Sequence, residues 1–419
     1  MAVGIICEYN PFHNGHIYHL NKIKELYKDE EIILVLSGNY TQRGLPSIIE
    51  KYDKALLALT YGVDLVIELP FSFSTQSSDF FAKGSLQILN KLKCNKLVFG
   101  SESDDIEVLK SLANIQLNNK EYNTLVKEDL DKGINYPTAM SNALKKITNK
   151  TVNDANDLLA LSYIKEIISN KYDIEPISIK RTNNYNDKNL TGSISSATSI
   201  REALKNSKDI KETVPKETIK LINKFDEIKY FNYLKYKVLS DKDLSIYQTV
   251  DEGLDNKIKK EIVNCNTIQE LIDKIKSKRY TYNKLNRMFT HIICSYTKEE
   301  NTKYKDIEYI RVLGFSNKGK KYLNSIKKEI DIPIITNISK SNIDLLELEL
   351  RVDNIYNLLF DRKDNLYAKK PIIKDIIDWY LFLFSYCFYY HYLLLCQTFL
   401  QYYLHHMKVY HVLHLSYLE

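Results

Sequence analysis

Short apolar runs alternate with amphipathic stretches through the first hundred or so residues. Val3-Gly4-Ile5-Ile6, Ile32-Ile33-Leu34-Val35-Leu36, Asp64-Leu65-Val66-Ile67-Glu68-Leu69 and Lys96-Leu97-Val98-Phe99 are continuous enough to lie buried on both faces. Such runs suit parallel strands. Between them, residues 17–27, 47–61 and 79–92 carry the spacing of helices with one apolar face. Pro70 stops the third strand and Gly100 ends the fourth. This alternation predicts an α/β fold with a doubly wound parallel sheet. Ligands in that architecture bind beyond the carboxyl ends of the strands. The loop after Ile6, Ser37-Gly38-Asn39 and Gly100-Ser101-Glu102 all fall at such ends. They are expected to converge on one edge.

Residues 104–150 read as helical and polar, with a Gly133-Ile134-Asn135-Tyr136-Pro137 turn before a helix. Asn156 fits an N-cap for a helix over 157–169, and 175–180 reads as a further strand running into Arg181. From Thr213 to about residue 300 the chain is helical and lysine-rich, and 332–337 reads as a strand and its exit.

A chain of 419 residues predicts two or three domains. Its formal net charge of +6 is compatible with RNA without requiring it. Six cysteines lie scattered with no C-x-x-C pair, which argues against a zinc ribbon or a disulfide framework and fits a reducing cytoplasm. The first strand begins almost at Met1, so no signal peptide is expected.

The chemistry concentrates in His13-Asn14-Gly15-His16, where the first strand hands over to the first helix. A helix start offers unpaired N–H groups and partial positive charge to an anion. His13 and His16 can face one ligand, and Gly15 removes a side chain where that ligand comes closest. Arg181 lies just past a strand end, on the same edge. Ser195-Ser196-Ala197-Thr198-Ser199-Ile200-Arg201 offers hydroxyls and N–H groups for terminal phosphates and an arginine for departing pyrophosphate, or else an N-cap at Ser196 or Thr198. Arg43 is a candidate for a carboxylate or phosphate. Residues 275–287 interleave lysines and arginines with Tyr280 and Tyr282, a composition suited to RNA phosphates and unstacked bases or to a solvated helix face.

The strings EYNPFHNGHIYHL, LSGNYTQRGLPSIIEKYDKA, GVDLVIELPF, STQSSDFFAKG and FGSE, in order, closely resemble the bacterial tRNA(Met) cytidine acetate ligase family. H-N-G-H resembles the HxGH signature of the wider nucleotidyltransferase superfamily. The resemblance runs from Val3 to about Lys374. It implies a nucleotidyltransferase-like catalytic domain over 1–205 and a mainly helical tRNA-binding region over 206–375. It also implies an acetate ligase that forms acetyl-adenylate and acetylates N4 of the wobble cytidine of elongator tRNA(Met). ATP and acetate are then co-substrates, magnesium is an optional companion of ATP, and no resident metal or obligate protein partner is implied.

By the same resemblance His13, His16 and Arg201 are catalytic. ATP would be held by Ile6-Cys7-Glu8-Tyr9-Asn10-Pro11-Phe12-His13-Asn14-Gly15-His16-Ile17-Tyr18-His19, Gly100, Asn156, Arg181, Ser196 and Thr198. Lys278, Arg279, Lys284 and Arg287 would hold tRNA, with Lys284 where the family carries an arginine. A thioester on Cys7 is not needed, because an adenylate already activates the acyl group. The competing readings are a small-molecule adenylyltransferase with the same core, and a non-catalytic RNA- or nucleotide-binding protein.

Residues 376–419 fall outside the resemblance. After Asp378 no Asp, Glu, Lys or Arg occurs before Lys408, and five of the nine histidines lie here without regular ligand spacing. The length and charge fit a membrane span. The density of Tyr and His favours a non-native extension or a sticky helix instead, so membrane contact is not expected.

Overall fold

The computed structural model describes residues 1–374 except 151, 153, 182–188, 191, 252, 339–340 and 342–343. The expectations for the aromatic tail lie outside the described residues. Residues 1–372 form one compact unit.

The four apolar runs become β1 (Ala2–Cys7), β2 (Glu31–Ser37), β3 (Leu65–Leu69) and β4 (Lys96–Ser101). They alternate with α1 (Asn14–Leu26), α2 (Lys51–Thr60), α3 (Phe71–Ser74) and α4 (Ser78–Lys91). Then come α5 (Ile106–Asn118), α6 (Lys120–Asp131), α7 (Tyr136–Thr148), α8 (Ala155–Asn170), β5 (Glu175–Lys180) and α9 (Ala197–Lys205). The strands lie in the order β5-β4-β1-β2-β3, all parallel. Ile5 pairs with Leu34, Val35 with Ile67, and Val98 with Ile177. Successive strand residues face opposite sides. Ile33, Val35 and Ile67 pack on one face with α4 and α8, while Ile32, Leu34 and Leu36 pack on the other with α1 and α2. The fold is the doubly wound α/β class that the apolar runs predict. Its order reverses between β1 and β4, which is where such a sheet opens for a ligand.

The later chain is mainly helical: α10 (Lys216–Leu221), α11 (Glu227–Ser240), α12 (Leu254–Ile262), α13 (Ile268–Ile275), α14 (Tyr282–Ile293), α15 (Lys298–Lys303), α16 (Asn317–Ile326) and α17 (Asp344–Leu359). It also returns to the sheet. β6 (Ile310–Phe315) pairs antiparallel with β3, Leu65 opposite Phe315, and β7 (Ile334–Ile335) pairs with β6.

Four charged residues close this junction. Lys51 Nζ lies 2.7 Å from Glu68 Oε1 and contacts Asp353, while an Arg311 Nη lies 2.8 Å from Glu68 Oε2 and 3.8 Å from Asp353. All four are buried. Glu349 beside them accepts the Phe71 N–H at 2.6 Å. Burial, with the nearby Glu68 carboxylate, pushes its pKa up to about 8.

Candidate active site

β1 ends in a loop with a cis peptide at Asn10-Pro11, and α1 starts at once. The N-cap is His13, whose Nδ1 accepts the Gly15 N–H at 3.0 Å. The third helical residue, His16, answers through its own Nδ1, which accepts the His13 N–H at 3.2 Å. Helices ordinarily recruit Ser, Thr, Asp or Asn for this task. Two imidazoles in a capping box have their rings stacked at 3.8 Å. Burial, with Arg181 and Arg201 nearby, pushes the His13 pKa down to about 3. His16 is also held well below its ordinary value by burial and by His13. Both rings are therefore neutral at physiological pH. With each Nδ1 accepting, each ring proton sits on Nε2. The loop thus carries two fixed Nε2–H donors that cost no charge to bury.

Burial also takes the pKa of His19 down to about 4, and that of His291 in the helical region down to about 4. The sign of the pH dependence follows. Between about pH 4 and the ordinary value of 6.5 the unfolded chain binds more protons at these positions than the folded chain. Stability should fall as pH drops through that window, by about 1.4 kcal/mol per pH unit for each histidine. Denaturant midpoints measured from neutrality down to pH 5 or so check this. A flat profile would contradict the buried neutral rings.

A cavity of about 1160 Å³ opens at the β1–β4 switch point. Its wall includes Ile6, Cys7, Glu8, Tyr9, Asn10, His13, Gly15, His16, Tyr18 and His19 from the first loop and helix. Gly100, Asn156, Arg181, Ser195 and Arg201 also line it, as do Arg43, Arg279, Lys284 and Arg287. Residues far apart in sequence meet here as expected. Pro11, Phe12, Asn14, Ile17, Ser196, Thr198 and Lys278 do not line it. Several of them support residues that do. Phe12 is fully buried against Tyr9 and His16. Asn14 Nδ2 donates to the carbonyls of Ser193 and Glu212, both at 2.8 Å. Ser196 is the N-cap of α9, accepting from Ser199 N at 3.1 Å. Thr198 Oγ1 accepts from Arg201 at 3.3 Å, and Arg201 also donates to the Asn10 carbonyl.

Ser37-Gly38-Asn39 lies at the carboxyl edge of the sheet as expected, but it does not line the cavity. β2 lies on the far side of β1 from the switch point, and α17 covers its end, where Asn39 Nδ2 donates to Asp353 at 2.9 Å. Asn156 is not the cap of its helix. Asp154 holds that position, and Asn156 Nδ2 donates to Glu102 Oε1 at 2.5 Å.

That contact belongs to a lock that the sequence reading missed. Glu102 Oε2 accepts the Asp157 N–H at 3.1 Å, while Asp157 accepts the N–H groups of Glu102 and Ser103, both at 3.0 Å. Glu102 also lies 3.7 Å from Arg181 Nε, so it orients two cavity residues. Gly100 makes room for this, since a Cβ there would lie 3.3 Å from Arg181 Cγ. Lys54 was missed too. Its buried ammonium donates to the carbonyls of Glu8, Ser37 and Gly38 at 3.0, 2.8 and 2.7 Å, fixing the ends of β1 and β2. The available signal was a second lysine, after Lys51, on the same apolar face of α2.

The helical region meets the site at the loop after β2. Gln42 donates its N–H to Glu8 Oε1 at 2.6 Å, and Arg287 donates to the Gln42 carbonyl at 3.2 Å. Burial pulls the Arg287 pKa down to about 10. Gly44 has φ +79°, and a Cβ there would lie 2.2 Å from Arg287 N, so only glycine lets α14 sit this close. Lys284 Nζ sits 4.9 Å over the Tyr280 ring. Lys278 and Arg279 are exposed. Among the described residues no group of three or more His, Cys, Asp or Glu is placed to hold a metal ion, and no helix is long and apolar enough to cross a membrane.

The HIGH Nucleotidyl Transferase family model matches residues 1–370. A tRNA(Met) cytidine acetate ligase of Clostridium novyi is 42% identical over 383 residues, covering 85% of this chain and 94% of that protein. The chain belongs to this family. A namesake from a Geobacillus species is 38% identical, covering 89% of this chain and 97% of its own. The crystal structure of Thermotoga maritima TmcAL without ligand superposes with a TM-score of 0.82 at 30% identity, covering 89% of this chain and 99% of that one. The same protein bound with alpha-thio ATP gives 0.80 at 29%, with the same coverage.

Proposed function

We propose that this chain is an ATP-dependent acetate ligase that acetylates N4 of the wobble cytidine of elongator tRNA(Met). The observation that carries the reading is a single cavity lined both by two neutral histidines with Nε2–H donors beside Arg181 and Arg201, and by Arg279, Lys284 and Arg287. The family membership agrees with it, as does the nucleotide held by the Thermotoga relative.

ATP lies along the start of α1 with its phosphates toward the histidines. The cavity-lining members of residues 6–19, with Gly100, Asn156 and Arg181, form its bed, and Pro11, Phe12, Asn14 and Ile17 support them from behind. A carboxylate oxygen of acetate attacks the α-phosphorus, the bond to pyrophosphate breaks, and acetyl-adenylate forms. His13 and His16 donate from Nε2 to the oxygens that gain charge in the pentavalent state, a preorganised form of stabilisation. Arg201 takes charge from the departing pyrophosphate. The N4 amine then attacks the acyl carbon, AMP leaves, and the amine loses a proton. Residues 1–205 supply the adenylation chemistry and residues 206–375 the RNA grip, with Lys278 on the outer surface and Arg287 bracing the joint. The work suits a cytoplasmic enzyme needing no further protein subunit.

Exchange of labelled pyrophosphate into ATP, dependent on acetate and proceeding without tRNA, tests the first half. Its absence from the folded protein would contradict the reading.

A further inference from the structure

The cavity is larger than the 300–1,000 Å³ or so usual for a small-molecule site. Part of its wall has no task in adenylate formation. It comprises Leu130, Ile134, Tyr136, Pro137, Met140 and Arg279. Tyr136 stands out among them, being 47% exposed.

The turn before it fixes the backbone that carries the ring. Asn135 caps α7, its side chain accepting the Thr138 N–H at 3.2 Å, and Pro137 fixes the backbone of the next residue. Asn135 Nδ2 donates to the Lys278 carbonyl at 3.4 Å. The turn is thereby tied to the exposed loop that carries Lys278 and Arg279. Arg279 Nε lies 3.4 Å from where a Cβ on Gly133 would sit, at φ +79°. An aromatic face and a guanidinium from distant parts of the chain thus share one wall. The neighbouring carboxylate of Asp79 is engaged by Lys165 at 2.8 Å.

Flat rings open to water beside an arginine are what unstacked RNA bases use. Acetate offers only a methyl group. A wobble base must leave its stack before its amine can reach an adenylate in a cavity.

We propose that Tyr136 is the stacking platform for an unstacked base of the tRNA segment that carries the wobble cytidine, with Arg279 pairing the backbone phosphate beside it. This rests on the tRNA ligase reading. The test is the dissociation constant for unmodified tRNA(Met) in the full chain, for the parent, Tyr136→Ala, Tyr136→Phe and Arg279→Gln. Tyr136→Ala should weaken binding about tenfold or more, and Tyr136→Phe should stay within about twofold of the parent. Arg279→Gln should weaken binding and lower the salt slope by about one phosphate contact. Unchanged affinity in Tyr136→Ala would overturn the inference. So would an equal loss in Tyr136→Phe, or a raised KM for ATP in tRNA-free exchange, which would put the ring in the ATP site. Absence of acetate-dependent exchange in the parent would instead sink the ligase reading, so the two failures are distinguishable.

Discussion

Replacing His16 by alanine is expected to slow acetate-dependent pyrophosphate exchange by about 10²–10³-fold, the usual cost of losing one preorganised donor to developing oxyanion charge. The substitution removes the Nε2–H donor. It also removes the Nδ1 acceptor of the His13 N–H, which is a capping bond. The second loss costs about 1 kcal/mol of stability. His16→Asn separates the two. An asparagine amide can still accept the His13 N–H but cannot place a donor where Nε2 stood. It should restore stability and leave the rate low. An alanine variant within about twofold of the parent rate would remove His16 from the transition state.

The second large effect is structural. Lys51→Met leaves Glu68 and Asp353 with only Arg311 as a cationic partner in the buried quartet. Stranding a charge in a low-dielectric interior costs about 3–5 kcal/mol. The denaturant midpoint should drop accordingly. The double variant Lys51→Met with Asp353→Leu keeps Arg311 and Glu68 as a matched pair, 2.8 Å apart. It should lose less stability than the two single losses summed. Strict additivity would mean that Lys51 and Asp353 do not stabilise each other.

The quartet also marks where sequence reading ran out. β1 to β4 were legible because a strand buried on both faces writes itself as a local apolar run. β5, a half-exposed edge strand, was legible instead from the alternation in Pro176-Ile177-Ser178-Ile179. β6 was not read as a strand, because Arg311 interrupts Ile310-Arg311-Val312 and becomes intelligible only beside Glu68 and Asp353. The histidine loop was legible for the opposite reason: strand end, turn and helix start are contiguous, so their chemistry is local. The Ser37-Gly38-Asn39 loop looked equivalent to the other strand ends. Strand order, which no local pattern carries, puts it away from the switch point and under α17. Asn156 had a capping residue's chemistry, but Asp154 begins the helix and Glu102 takes its amide instead. Glu102 and Lys54 act through backbone atoms of distant segments, which one sequence cannot display.

The central claim is that one cavity serves both adenylation and RNA acylation. Its most direct test is incubation of the chain with ATP, labelled acetate and unmodified tRNA(Met), followed by digestion to nucleosides. The account predicts label in N4-acetylcytidine, dependent on ATP, with AMP and pyrophosphate as co-products. Transfer of AMP to a phosphorylated small molecule, with no acetate-dependent label in RNA, would contradict it.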